Sequence, residues 1–444
     1  MDSTSSGSSE GATSGGTATA GPGTDSASTS TATGGGTTGG GETFEPCPPF
    51  EPPAGPVVDV SPEMADELPG LVASAAPGTV FAFAPGTYDL SGANLLHVTT
   101  PGLVFYGTGD DPEAVVLDAG YGIGEIFLVE APNTTIANLT AQRAFYHPIH
   151  VTGGTDGNTT GTRIYRVRVV DPGQQGIKIN ASSAGYFSDE GEIACSEIRM
   201  TDAGRGFVTD CYTGGIDAHS AWGWTVRDNY IEGFWCDQGL SEHGVHFWVT
   251  SRDTVVERNV IVDCARGIGF GLGAMGNGKT RVYPDDPCPG AGYLGHIDGI
   301  VRNNVIVGKR PELFASASGM DSGVALEQAC GPIVVHNTVV ALEPPFVSME
   351  YRFENTSAVI RNNLVTHDIV ARDGGQATLS GNVEQAPLSE FVDPASGDVH
   401  LVAGAAAVDA GDVLAGEEAV ERDIDGDPRD ALPDPGADEF VPGP

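Results

Sequence analysis

An all-β solenoid of stacked parallel strands is the fold this sequence predicts, and three observations predict it. The first is a repeated four-residue string: Pro148-Ile149-His150-Val151, Gly176-Ile177-Lys178-Ile179, Gly215-Ile216-Asp217-Ala218, Gly244-Val245-His246-Phe247, Gly267-Ile268-Gly269-Phe270 and Gly323-Val324-Ala325-Leu326. Side chains alternate faces along a strand, so the apolar second and fourth positions turn inward and the third turns outward. The second observation is an apolar residue followed three positions later by Asn, at Val226/Asn229, Val256/Asn259, Val301/Asn304, Val334/Asn337, Ile360/Asn363 and Leu379/Asn382. Weaker copies end at Asn138, Val167 and Ser196. The third is the spacing of these marks, tightest at Asn363–Asn382 and widest at Asn259–Asn304. Irregular spacing around a constant core is the signature of coils that carry variable insertions.

The chain begins with a stretch that cannot join such a core. Residues 2–42 contain no Val, Ile, Leu, Met, Phe, Trp, Tyr or Cys, so they bury too little apolar surface to offset the entropy of ordering. Residues 1–43 are therefore expected to be a disordered Ser/Thr/Gly-rich tether, and residues 44–440 one β-helical domain. From Thr79 to Val399, period-two segments rich in Val and Ile alternate with Gly, Asn and Asp, and helix signals are nearly absent. The Asn marks suit tight bends, where Asn tolerates left-handed backbone, and stacked copies are expected to form amide ladders.

Of the 444 residues, 21 are Lys or Arg and 60 are Asp or Glu, a formal charge of −39. No basic footprint exists to neutralise phosphates, which excludes a general nucleic-acid binder. The acidity reads as a solvated, self-repelling surface. No stretch is apolar enough to span a membrane, and a monomer is expected. Lysine occurs only at 178, 279 and 309, and Lys178 falls on an outward position. The seven cysteines include no C-x-x-C pair or Cys/His zinc spacing, so metal ligation is not expected there. A secreted or cell-surface, disulfide-tolerant setting fits better. Cys236 and Cys264, on consecutive repeats, are the expected bridge, with Cys47 as the free thiol.

The string Ala76-Pro-Gly-Thr-Val-Phe-Ala-Phe-Ala-Pro-Gly-Thr-Tyr88 is similar to the first coil of single-stranded right-handed parallel β-helices, the pectate-lyase-like proteins acting on carbohydrates. Asp423-Ile-Asp-Gly-Asp-Pro-Arg429 with Gly436-Ala-Asp-Glu439 resembles the tail of many bacterial members. That likeness implies a cap on the open end of the solenoid, over about residues 400–440, and makes calcium a candidate ligand of the Asp-x-Asp-Gly-Asp run. The Ser/Thr/Gly tail resembles the spacer behind the lipid-bearing cysteine of some Gram-negative surface lipoproteins. Met1-Asp2-Ser3 leads into it without a signal peptide, so an outer-membrane lipid anchor would lie upstream of residue 1.

The third positions of the strings form a candidate site: His150, Lys178, Asp217, His246, Gly269 and Ala325 on one outer column, spaced about 4.8 Å per coil. A second column two residues on reads Thr152, Asn180, His219, Trp248, Gly271 and Glu327. Asp217-Ala-His219 resembles the Asp-Pro-His motif of mannuronan C5-epimerases, with Ala218 in place of Pro. The likeness implies that His219 abstracts the C5 proton of a uronate while Asp217 supports it. That chemistry needs a base of near-neutral pKa and a cation against the substrate carboxylate. His219 or His246 is the candidate base; Lys178 or Arg266 is the candidate cation. Trp248 offers a face for a sugar ring, and His150, His243 and Asn180 are further candidate substrate contacts. Gly269, Gly271 and Gly273 are expected to leave a bare floor. The insertion Met275–Tyr293 is expected to wall the groove, with Tyr283 or Tyr293 as general acid. The expected partner is an acidic polysaccharide, and the expected outcome is lyase or epimerase chemistry. A non-catalytic carbohydrate-binding or adhesin-like solenoid is the alternative. Glu327 and Glu350 keep a glycoside hydrolase as a third.

Overall fold

A computed structural model describes residues 46–272 and 280–442. The expected tether, Gly273 and the start of the expected wall lie outside those residues. Each coil of the described chain visits three sheets in turn. His147–Thr152 lies in one 10-stranded sheet, Arg163–Tyr165 in a 14-stranded sheet and Arg168–Val170 in a second 10-stranded sheet; Gln175–Asn180 then rejoins the first. All pairings between successive coils in these sheets are parallel, as in His150↔Lys178 and Val169↔Ile198. The result is a parallel β-helix.

The alternation holds wherever the strings predicted it. Ile149, Ile177, Ile216, Val245, Ile268, Val324 and Met349 stack inside on one sheet, and Ile164, Ile193, Val226, Val256, Val301 and Val334 on another, all at most 1% exposed. Each fully buried aliphatic side chain contributes about 1.5–3 kcal/mol.

The Asn marks form a continuous ladder inside one bend. Nδ2 of Asn229 donates to Oδ1 of Asn259 at 2.9 Å, and Asn259 to Asn304, Asn304 to Asn337, Asn337 to Asn363 and Asn363 to Asn382 follow at 2.9–3.0 Å. The left-handed residue is not the ladder Asn but its predecessor: Asp228, Arg258, Asn303, His336 and Asn362 have φ between 51 and 55°. Asn138 has φ 51° and therefore occupies this preceding position, so the ladder equivalent in its coil is Leu139.

At the N-terminal end, Leu68 and Val72 of the helix Leu68–Ala73 enter the main core. The C-terminal segment packs laterally. Phe391, Val399, Leu401, Ala407 and Ala437 form a second core with Val305, Val307, Val340 and Leu364, which face outward from their coils. Within the acidic run, Asp423 Oδ1 accepts backbone N–H groups of Asp425 and Asp427, and its Oδ2 that of Glu439. Its carboxylate thus folds the tail onto itself, rather than pointing outward with Asp425 and Asp427.

The disulfides correct the expected pairing. They join Cys47–Cys195, Cys211–Cys236 and Cys288–Cys330. Cys264 is the free thiol and lies in the apolar core, where an inward-pointing side chain cannot reach Cys236 in its surface loop. Among the described residues, no helix is long and apolar enough to cross a membrane.

Candidate functional site

The predicted column is real. Register runs His150↔Lys178, Lys178↔Asp217, Asp217↔His246, His246↔Gly269 and Gly269↔Ala325, continuing to Glu350. The second column follows, with His219↔Trp248 in register. The side chains leave the solenoid as the alternation requires, but they are not exposed. Asp217 and His246 are 0% accessible, Lys178 6% and Trp248 8%. Each rung leans on its neighbours, and two insertions flank the column: the loop before Gly214, carrying Tyr212, and the loop before His243, carrying Glu242. The Cys211–Cys236 disulfide ties these loops together.

Asp217 is the hub. One carboxylate oxygen, Oδ2, is ion-paired with Lys178 Nζ. The other, Oδ1, accepts Trp248 Nε1–H at 2.7 Å and lies 3.3 Å from His219 Nε2. Burial pushes this carboxyl up, but Lys178, then His219 and His246, outweigh burial and hold it well below the usual carboxylate range. Burial likewise works against the Lys178 charge, yet Asp217 and Tyr212 leave its pKa raised. Lys178 Nζ also reaches His219 Nε2 at 3.0 Å and the Tyr212 hydroxyl at 3.4 Å. An ammonium only donates, so in the bond from Lys178 Nζ it is His219 Nε2 that accepts and Nδ1 that carries the proton. The 3.3 Å approach of Nε2 to Asp217 Oδ1 is then bridged by the ammonium, which pairs with both side chains. Burial lowers the His219 pKa, and Asp217 only partly offsets it. The imidazole is therefore neutral beside an ammonium. Trp248 meets His219 edge-on at 4.5 Å between centroids.

His246 sits deeper, stacked on Trp248 at 5.1 Å. Its Nε2 is 2.9 Å from the Gly271 carbonyl oxygen, and its Nδ1 is 3.1 Å from Glu242 Oε2. Both ring nitrogens are engaged by protein oxygens and the side chain is fully buried, so neither nitrogen is open to a substrate. His243 packs against it at 4.2 Å, and burial brings the His243 pKa down to about 3. The glycine floor is not bare: a Cβ on Gly269 would lie 2.5 Å from His243 Nε2, and one on Gly271 would strike the Glu327 carbonyl. Glycine is needed there because neighbouring groups already occupy the space.

The remaining candidates lie off this network. Arg266 pairs with Asp321 at 3.1 Å, in register with His243 rather than with the outer column. His150 spans Glu125 (2.9 Å) and Asn180 (3.2 Å) and, with Thr152 and Ser182, lines a pocket of about 330 Å³. Tyr283 and Tyr293 line a separate cavity beside Thr250, and the Tyr283 hydroxyl donates to the Thr250 carbonyl at 2.8 Å. This part of the insertion covers the turn after His243–Trp248, and the Tyr283 hydroxyl is directed at that turn rather than at Lys178. Glu327 and Glu350 are held by Arg352 and Arg372. Sequence reasoning missed Tyr212 and Glu242. Both precede a site strand by only a few residues, but neither lies on a repeated position. Their only signals were adjacency to Cys211 and to His243.

No family model and no curated protein matches the chain. Solved structures do. Pectate lyase Pel9A aligns with a TM-score of 0.53 at 14% identity, covering 88% of this chain and 97% of that one. An alginate lyase from Paenibacillus sp. str. FPU-7 aligns at 0.46 and 15% identity, covering 73% and 99%. PfbA, a surface adhesin of Streptococcus pneumoniae, aligns at 0.43 and 11%, covering 74% and 93%. The chain has a right-handed parallel β-helix fold similar to that of pectate lyase Pel9A.

Proposed function

We propose that this protein is an extracytoplasmic carbohydrate-active enzyme that cleaves an acidic, uronate-containing polysaccharide by C5-proton abstraction and β-elimination. The observation that carries this reading is a neutral imidazole, an ammonium and a tyrosine hydroxyl meeting at Lys178 Nζ, within 3.0 and 3.4 Å. In the free protein Lys178 occupies the His219 Nε2 lone pair. An incoming uronate carboxylate competes for the ammonium and frees that lone pair. His219 Nε2 then takes the C5 proton, and Lys178 stabilises the charge that builds on the carboxylate. The C5–H electron pair forms the C4–C5 double bond as the C4–O4 bond breaks, and the leaving oxygen takes its proton from the Tyr212 hydroxyl. Burial raises the Tyr212 pKa, which keeps that hydroxyl protonated until it is needed. Asp217 is a positioning residue that holds Lys178, His219 and Trp248.

Base and acid gathered at a single ammonium suit elimination, whereas C5 epimerisation needs proton transfer on both faces of the sugar. The three disulfides support an oxidising compartment, and secretion or anchoring through a tether belongs to the same proposal. One feature favours a second reading, a non-catalytic binder: the pocket beside His150 and Asn180 is open, while Lys178 and Asp217 are closed over.

The test is absorbance at 232 nm, where unsaturated uronates absorb, on a panel of alginates, pectates and glycosaminoglycans. A rise with wild type that His219→Ala abolishes, with the variant's melting temperature preserved, supports the lyase. No rise but deuterium uptake at C5 means epimerase. Neither signal, with retained binding, means binder.

A further inference from the structure

We propose that Glu242, His243 and His246 bind one divalent first-row transition-metal ion, at a site distinct from the Lys178–His219–Tyr212 cluster. One donor atom from each of the three side chains lies within 4.8 Å of the other two, and Nδ1 of His246 and Nδ1 of His243 lie 3.1 and 3.9 Å from Glu242 Oε2. The tautomer of His246 is fixed from behind. The Gly271 carbonyl 2.9 Å from Nε2 can only accept, so Nε2 carries the hydrogen. Metal-binding histidines are characteristically oriented by such a bond on the far nitrogen. The Nδ1 lone pair is then aimed at Glu242 Oε2, 3.1 Å away. Two acceptors at that distance require a cation between them.

A proton on Nδ1 would satisfy His246 alone. It would leave His243 Nδ1, on a side chain 3% exposed, with no hydrogen-bond partner and 3.9 Å from the same glutamate oxygen. One metal ion satisfies all three atoms. Bonds of about 2.0–2.2 Å in tetrahedral geometry place ligand atoms roughly 3.3–3.5 Å apart, and the observed 3.1 and 3.9 Å bracket that range. Gly269 makes the site possible, because any Cβ there would displace the His243 ring.

Two imidazoles and one carboxylate suit zinc, cobalt or nickel and not calcium, which takes six to eight oxygens. Glu242, 19% exposed, is the open side through which an ion enters. Asp217 Oδ1 lies 3.9 Å from His246 Nδ1, so the ion's charge would be felt by the carboxylate that holds Lys178 and His219. The proposal stands whether or not the protein is a lyase.

The experiment is equilibrium dialysis of the full chain, stripped with chelator, against Zn²⁺, with Co²⁺ replacement read by visible spectroscopy. One equivalent of Zn²⁺, a tetrahedral Co²⁺ spectrum and no competition by Ca²⁺ are expected. His243→Asn and Glu242→Gln, each checked for folding by circular dichroism, should weaken binding at least tenfold. His400→Gln should not, although His400, Asp425 and Asp438 form another acidic cluster. Absence of stoichiometric uptake by folded wild type would overturn the proposal in favour of a shared proton. So would uptake that survives both site variants, or that vanishes in His400→Gln.

Discussion

Two side-chain ladders run along this solenoid, and they are built on opposite plans. The Asn ladder repeats one residue from Asn229 to Asn382, and each amide bonds the next in the same way. The outer ladder changes its chemistry at every rung: His150, Lys178, Asp217, His246, Gly269. A uniform stack is what a fold needs, because identical coils pose an identical bonding problem at each bend. A stack that mixes base, cation and acid solves no problem the fold poses, and it demands satisfaction rung by rung. Both ladders are buried, so exposure does not tell them apart. Repetition does.

The sharpest way to break this contrast is at the hub. Asp217→Asn leaves the Lys178 ammonium buried without its counter-charge, and unfolding by urea should show a loss of about 3–5 kcal/mol. Lys178→Met combined with Asp217→Leu removes both charges and should recover much of that loss while abolishing any elimination activity. A pair kept for stability alone would not behave so.

Acid should act on buried histidines and leave the amides of the Asn ladder unchanged. Burial pulls the His147, His296 and His336 pKa values down to about 3 each. A depressed histidine contributes stability that is present above its unfolded value near 6.5 and is lost as pH falls toward the folded value. Each should forfeit about 1.4 kcal/mol per pH unit below 6.5, so the three together lower stability by about 4 kcal/mol at pH 5.5. Urea midpoints from pH 7.5 to 5.5 measure this. An Asn-ladder variant should fall in parallel with wild type, since an amide does not titrate.

Within the Asn ladder, position decides cost. Asn304→Ala strands the donors and acceptors of Asn259, Asn337, Val256 and Arg302, for about 2–3 kcal/mol. Asn382→Ala, at the partly buried last rung, should cost about 1 kcal/mol. Neither should change the rate of elimination per folded molecule.

What the sequence made legible follows the same division. Period-two patterning exposed the coils, the inward stacks and the outward column, because a repeat carries its own register. The Asn marks exposed the ladder, although the left-handed residue proved to be the one before it. The sequence hid whatever lies off the repeat. Burial of Lys178 and Asp217 comes from the large neighbouring rungs together with a loop, carrying Tyr212, whose conformation has no period. Cys211 found Cys236, and Cys47 found Cys195, across insertions that spacing does not describe. The glycines at 269 and 271 looked like empty floor because a sequence shows a missing side chain, not the ring or carbonyl that fills the space.

Tyr212 offers the smallest structural perturbation and the finest test of the contrast. Its hydroxyl makes a single long bond of 3.4 Å to Lys178, and its ring remains in Tyr212→Phe. A bond of that length contributes little, so the variant should melt within about 0.5 kcal/mol of wild type. If Tyr212 protonates the leaving oxygen, kcat should nonetheless fall roughly 10²–10⁴-fold, the usual worth of a positioned general acid. The loss should be least on substrates whose O4 leaving group is already acidic, since these need no proton. An unchanged kcat on every substrate would return Tyr212 to the role of a packing residue beside Lys178. Elimination would then depend on some other donor. A large rate effect with no stability effect is the signature that no member of the Asn ladder can give.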